Sequence, residues 1–531
     1  MGTVIRKLTA PDASKWIDLL RVNLGDEYAE KALSDPKWAE NELVGNMGED
    51  TWGADVNGQI QGSVSFLPGH VGNQNPIANL GRNLFLPESF RNGAAEALYR
   101  KVHEEVAGRG LFTVVRVLAS DNAQQILLEK MGYICAGFQP FKHMLRSREG
   151  CLFYLNFGGS DIISRQPVSE SLPQVSELAA AVLGHLQFAV PALVRDGATG
   201  YPLKTEIQFH AATSDDFDLW KMQAETSNPP VEISGGFNLG QGFLRSQGGS
   251  PVQAFLGQRE NQVVAGISYC FDERDRCVRI VESCALDDVS LGAMLQHAMK
   301  AAHEQMSAVY VEVDILMSAP RLLKSAEQLG FVPVAYLPAF YSKANAHVDV
   351  VKMVKLNLLY SAEKHEATAH AKTILRIVDQ NFNDQKIGLA IINLLRGLPV
   401  FEGLGDGELR KIARLFTQKL YRPGDRIFSR GDVGNEAYVV MRGQVDIVLE
   451  DLGKPLASVG NGQIFGEQAF LDGAPRGAHA VAGQASILLV IQRSAFHNLV
   501  HHEPHLGMVV MRNIAMELST RLRRANQTVK K

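Results

Sequence analysis

A short pattern occurs twice in this chain and constrains its fold more than any other feature. Glu129-Lys130-Met131-Gly132-Tyr133 recurs as Glu327-Gln328-Leu329-Gly330-Phe331. A proline stands eight residues after each glycine, Pro140 and Pro338. Before each pattern lies an apolar run of strand texture, Thr113–Leu118 and Ala308–Leu316, and then a helical stretch. A second match lies upstream. Gln59–Phe66 and Gln262–Tyr269 both run from a polar turn, through an apolar strand with an internal glycine, to an aromatic residue. Two patterns in the same order, similarly spaced, predict two copies of one α/β unit, residues 1–158 and 201–358.

A chain of 531 residues exceeds one core, since single cores stop growing at about 250–300 residues. The expected class is multidomain α/β + β. Between the copies (159–200), polar, proline-bearing Ser160–Leu172 reads as a linker leading into a helix near Gln174–His185. After the second copy, 359–395 reads as a helical connector. Ile374, Ile377, Val378, Phe382, Ile387, Ile391 and Leu394 fall near helical spacing. From there (396–531) the texture changes. Gly424, Gly431, Gly434, Gly443, Gly453, Gly460, Gly462 and Gly466 punctuate short runs such as Ala437–Met441 and Val445–Leu449, predicting an antiparallel β-roll with flanking helices. Leu506, Val510, Ile514, Leu518 and Leu522 mark one apolar face of a closing helix. That face suits either a homodimer or packing on its own roll.

Lys+Arg 53 against Asp+Glu 57 gives a net charge of -4, with no global basic field for nucleic acid or an anionic membrane. The longest apolar run, Leu178–Val194, is broken by His185, Gln187 and Pro191, so no membrane span is expected. Cys135, Cys151, Cys270, Cys277 and Cys284 form no CxxC, which points to reduced thiols, no metal site and a cytoplasmic protein.

The chemically informative segment is Phe465-Gly466-Glu467-Gln468-Ala469, followed by Arg476-Gly477-Ala478. A glycine leading into a short helix offers backbone N–H groups to an anion. An arginine nine residues after Glu467 can fork onto phosphate oxygens, with small neighbours that let a ligand approach. Glu467 beside a phosphate makes sense as acceptor for a ribose hydroxyl. This segment resembles the phosphate cassette of the cyclic-nucleotide-binding domain family, that of catabolite activators and kinase regulatory subunits. The resemblance covers about Leu395–Asn526, including the helix Gly405–Phe416, Arg422–Phe428 and Asn435–Val440. It implies a cyclic mononucleotide effector, cAMP or cGMP, with the base covered by the terminal helix near Arg524. His479 stands where kinase subunits usually carry threonine. Gly477 and Ala478 offer no hydroxyl beside the arginine, which favours cAMP.

In the first copy, Leu84-Phe85-Leu86-Pro87 reads as a strand end, and Arg91-Asn92-Gly93-Ala94-Ala95 opens a helix. Strand, small-residue loop, helix, strand and Leu128–Tyr133 resemble the GNAT N-acyltransferase family over residues 3–145. The resemblance implies acetyl-CoA or another acyl-CoA at Leu84, Leu86 and Arg91–Ala95, and an amine or protein lysine as acceptor. Phe90 replaces the family's first loop residue, and Leu128 occupies the slot of the tyrosine that protonates departing CoA. General acids contribute about 10²–10⁴-fold, so that loss bears on catalysis. The second copy departs further. Asp287 and Asp288 stand where a pyrophosphate would sit, and Ala326 fills the tyrosine slot. Glu282, on the expected strand Val278–Ala285, is the candidate base. A DNA-reading element is not expected, because Lys531 follows the closing helix directly. The alternative to a regulated acyltransferase is a non-catalytic sensor whose α/β copies are scaffolds or ligand binders.

Overall fold

The computed structural model describes residues 2–25, 36–44, 50–71, 75–107, 112–145, 147–157, 165–166, 170–190, 193–194, 199–227, 233–235, 252–343, 346–362, 365–449 and 455–529. Most of the expected linker Ser160–Leu172 lies outside them. Two compact units are present, residues 1–382 and 383–531.

Both repeats fall in the first unit. The first copy supplies β1 (Thr3–Lys7), β2 (Asp50–Val56), β3 (Gln59–Val71), β4 (Asn75–Phe85), β5 (Phe112–Leu118), β6 (Ile134–Met144) and β7 (Arg148–Asn156). A small ladder of β8 (Glu170–Ser171) and β9 (Leu193–Val194) brackets the helix Pro173–His185. The second copy supplies β10 (Gln208–Thr213), β11 (Ile233–Gly235), β12 (Gln253–Arg259) and β13 (Gln262–Asp272). It continues with β14 (Cys277–Ala285), β15 (Tyr310–Leu316), β16 (Val332–Lys343) and β17 (Ala346–Leu356).

Apart from the β8–β9 ladder, these strands make one sheet, ordered β1-β2-β3-β4-β5-β7-β6-β16-β17-β15-β14-β13-β12-β10, with β11 paired to β14. The order reads as a palindrome. Its two halves meet at β6 and β16, and the parallel pairs, β4–β5 and β14–β15, stand at matching places. Pairing β6 to β16 leaves neither as an open edge.

The repeated motif has a local physical meaning. Gly132 (φ +83°) and Gly330 (φ +90°) end the helices Asn122–Lys130 and Pro320–Gln328 in the left-handed region that glycine enters without a Cβ penalty. The N–H of Tyr133 then donates to the Leu128 carbonyl (3.0 Å), and that of Phe331 to Ala326 (2.9 Å). Both aromatic rings are buried. Pro140 and Pro338 have no N–H for the ladder, and each sits at a register shift followed by a left-handed residue, Phe141 (φ +52°) and Ala339 (φ +51°). Five residues after each helix-ending glycine stand Gly137 and Ala335, which face each other across the β6–β16 seam. A Cβ on Gly137 would lie 2.1 Å from the Ala335 Cβ, so the seam closes only over glycine.

The second unit contains two four-stranded sheets. One is β18 (Phe416–Tyr421), β25 (Ser486–Gln492), β20 (Glu436–Arg442) and β23 (Ile464–Phe465), in that order. The other is β19 (Arg426–Phe428), β24 (His479–Ala482), β21 (Val445–Val448) and β22 (Ala457–Val459). All pairs are antiparallel, as expected for a β-roll. Helices Asp406–Ala413, Arg493–His502 and Pro504–Val529 flank it. Leu506 and Val510 of the closing helix are buried in the same core as Phe401, Leu489 and Phe496. Among the described residues no helix is long and apolar enough to cross a membrane. All five cysteines are buried and unpaired as disulfides.

Candidate functional site

β23 pairs with β20 at Tyr438–Phe465, and the chain then turns at Gly466 into the short helix Glu467–Asp472. Gly466 has φ +73°, which disfavours any side chain, and a Cβ there would lie 2.7 Å from Arg476 Nη1 and 3.3 Å from the Tyr438 ring. Glycine is thus required both for backbone conformation and for space. Gly473 (φ +74°) closes the helix. Gly434 lets Ala469 approach, since a Cβ on it would meet the Ala469 Cβ at 2.1 Å.

Arg476 is brought back beside Gly466 by the turn before β24. Its N–H donates to the Asp432 carbonyl, and its own carbonyl accepts from Gly431 N–H, both at 2.8 Å. The side chain is only 4% exposed. Nη1 donates to the Gly466 carbonyl (2.7 Å) and Nη2 to the Glu436 carbonyl (2.6 Å). The guanidinium lies 4.2 Å from the Phe428 ring centre and 5.7 Å from that of Tyr438. Its Nε–H has no hydrogen-bond partner among the described residues. Burial pulls the guanidinium pKa down, against the opposing fields of Tyr438, Glu436, Asp432 and Glu467. A buried cation with an unused donor is a costly arrangement that an anion would relieve.

Tyr438 and Phe465 stack at 4.9 Å and 15°, forming an aromatic floor. Glu467 is part-exposed and lines an apolar cavity of about 60 Å³ with Tyr438, Phe470, Val510 and Ile514. Phe465 and Ala469 are buried, Gln468 and Gly477 are exposed, and Ala478 is intermediate. A Cβ on Gly477 would meet nothing within 4 Å. The tertiary fold thus brings Gly466, Glu467 and Arg476 together. The side chain of Arg524, in the closing helix, lies outside the described residues.

Sequence reasoning missed two contributors, Phe428 and the Glu436 carbonyl, and named His479 without its contact. Phe428 backs the guanidinium, the Glu436 carbonyl anchors it, and buried His479 accepts from the Arg430 N–H at 3.1 Å through Nδ1. Phe428 reaches Arg476 only because β19 pairs with β24, a contact no local pattern announces.

The residues expected at an acyl-CoA site distribute differently. Leu84 and Leu86 point into a core with Trp16 and Leu20. Ala94 and Ala95 are fully buried, so their small side chains serve packing. Arg91, Asn92 and Gly93 are exposed. Gly93 has φ +79°, and Asn92 Oδ1 accepts from the Ala94 N–H at 3.0 Å, already capping the helix Ala94–Ala107. Leu128 and Ala326 are core residues. Glu282 is ion-paired to Lys221 of the helix Ser214–Ser227.

At the start of the second copy's helix Ser290–Glu304, Asp287 accepts from the N–H groups of Val289 (3.0 Å) and Ser290 (2.7 Å) and pairs with Arg259 (2.8 Å). The chain's own segment covers this turn. A Cβ on Gly292 would lie 2.5 Å from the Pro202 carbonyl oxygen and 2.8 Å from that of Tyr201. Tyr201 is buried there under Arg321, 4.2 Å from its ring centre.

Residues 418–503 match the family model described as a cyclic nucleotide-binding domain. Over 135 residues the chain is 36% identical to the Cyclic AMP receptor protein of Thermus thermophilus, which covers 25% of this chain and 61% of that protein. Over 131 residues it is 31% identical to Glutaminase 1 of Bradyrhizobium diazoefficiens, covering 25% of this chain and 21% of that one. Over 108 residues it is 33% identical to a cAMP-dependent protein kinase regulatory subunit of Colletotrichum orbiculare, covering 20% of this chain and 28% of that one. The chain therefore spans less than two thirds of each of these relatives. Its second unit carries a cyclic nucleotide-binding domain of β-roll fold, and Arg476 is buried within it.

Proposed function

We propose that this chain is a cAMP-responsive protein. The observation that carries the reading is the buried Arg476 beside Gly466, with one N–H unused. In this reading Arg476 and the N–H groups that follow Gly466 hold the cyclic phosphate. Glu467 accepts from the ribose 2′-hydroxyl. Two of the relatives carry cyclic AMP or cAMP in their names, and Gly477 and Ala478 present no hydroxyl to a guanine. Both points support cAMP over cGMP.

The test is calorimetric titration of the full chain with cAMP and cGMP. Arg476→Leu removes a charge-assisted contact worth about 1.5–3 kcal/mol, and cAMP affinity should fall by about tenfold to over a hundredfold. Wild-type affinity in that variant, or no cAMP binding to the wild type, sinks the reading.

What the nucleotide controls is proposed to be an acyl-CoA-dependent N-acyltransferase in the first copy. Its support is the exposed Arg91-Asn92-Gly93 loop at a helix start and the GNAT resemblance. The second copy is read as not holding acyl-CoA, because Asp287 and the Tyr201–Pro202 backbone occupy the equivalent turn. A second reading, a non-catalytic sensor, is favoured by the burial of Ala94, Ala95 and Leu128. Acetyl-CoA titration separates the two. A Cβ on Gly93 meets no atom within 4 Å, so Gly93→Leu strains the backbone without a direct clash at that atom. Acetyl-CoA binding that is lost in Gly93→Leu supports the enzyme. No binding to the wild type supports the scaffold.

A further inference from the structure

The second α/β copy carries a cavity that the nucleotide reading does not use. It has a volume of about 810 Å³ and lies against the helix Ser290–Glu304, the segment before β10 and the end of β17. That size is within the range of small-molecule sites, about 300–1,000 Å³. Its ionisable lining is Lys204, His297, Lys300, His303, Glu304 and Lys355. Three ammonium groups are thus set against one carboxylate, before either histidine takes a proton. His297, Lys300, His303 and Glu304 recur at helical spacing and share one face of their helix.

Lys300 and Glu304 are 3.9 Å apart, and both are well exposed, so this pair contributes little neutralisation. Lys355 differs. It is part-buried, and among the described residues its side-chain amine has no hydrogen bond or ion pair. Burial holds its amine below the usual lysine range. His297 stacks on Phe209 at 4.1 Å and 10°, and is held below its usual value by burial and then by Lys300. A half-buried ammonium with no carboxylate partner, in a lining where cations outnumber carboxylates, raises the free energy of the empty cavity, and a bound anion would lower it.

We propose that this cavity binds a small organic anion carrying two or more negative charges, a phosphate ester or a polycarboxylate, with Lys355 and Lys204 as its principal contacts. The site is separate from the cassette and stands whether or not the first copy uses acyl-CoA.

The test is calorimetric titration of the full chain with inorganic pyrophosphate and with citrate, each against sodium chloride of matched ionic strength. At least one anion should bind, and the tighter one identifies the class. Lys355→Met should weaken that binding by about tenfold or more. Lys204→Glu, at an exposed position that folding tolerates, should weaken it similarly. Lys15→Glu, exposed and outside the cavity, should leave it unchanged. Absence of binding by both anions overturns the proposal. So does wild-type affinity in both Lys204→Glu and Lys355→Met, which would also be the outcome if the anions bind only at the cassette.

Discussion

Replacing Gly137 with alanine tests whether the two α/β copies are joined as one sheet. The new Cβ would lie 2.1 Å from the Ala335 Cβ, 2.6 Å from its Cα and 2.7 Å from the Val334 carbonyl oxygen. Carbon atoms in good contact are about 3.5–4.0 Å apart, so β6 and β16 must part by more than 1 Å at the seam. Two of the three atoms met are backbone, and no rotamer change relieves them. Overpacking of this kind costs about 1–3 kcal/mol, and the backbone contacts place it at the upper end. The reciprocal change is informative because Gly137 and Ala335 are equivalent positions of the repeat. Ala335→Gly alone should cost about 0.5–1 kcal/mol, as glycine does inside a strand. Together the two changes remove the Cβ–Cβ contact but leave the two backbone contacts, so the double variant should recover only part of the loss. A coupling of about 1 kcal/mol is expected, within the range seen for residues in contact. Differential scanning calorimetry of the four proteins measures it. If Gly137→Ala melts like the wild type, or if the double variant is no more stable than Gly137→Ala, the seam does not bear the load described.

Three further outcomes are expected. Gly466→Ala forces a left-handed residue, at about 1–2 kcal/mol, and pushes on Arg476, so cAMP affinity should drop by tenfold or more while the β-roll stays folded; unchanged affinity by calorimetry contradicts the cassette geometry. His143 and Asp275 form a buried pair at 2.9 Å. Burial works against charging the ring, but the Asp275 carboxylate outweighs it and pushes His143 up to about 9. Its stabilising share is therefore present in full below the usual histidine range and is lost as pH rises towards about 9; urea titrations from pH 6 to 9 should show that decline, flattened in His143→Gln. Finally, Gly477→Thr fits into open space and places a hydroxyl beside Arg476, so cGMP should gain on cAMP in competition binding, and an unmoved ratio removes that determinant.

The repeat and the cassette were legible because they rest on local requirements. Gly132, Gly330 and Gly466 must adopt positive φ, and Pro140 and Pro338 cannot join a ladder, so their spacing survives in the chain as a readable mark. The β-rich texture after Leu398 likewise follows from short-range turn chemistry. Long-range pairing decided the rest. Nothing local announces that β6 meets β16 at a residue with no Cβ, or that both copies share one unit ending at Phe382. Phe428 and the Glu436 carbonyl reach Arg476 only through strands that meet far apart in sequence. The Ala94-Ala95 pair illustrates the limit from the other side. Small residues at a helix start read alike whether a ligand or a core lies against them, and here the core does. A chain determines by itself what each residue's backbone can adopt; which surfaces then meet, and which charges are left facing a cavity, depends on packing between segments that the linear order does not contain.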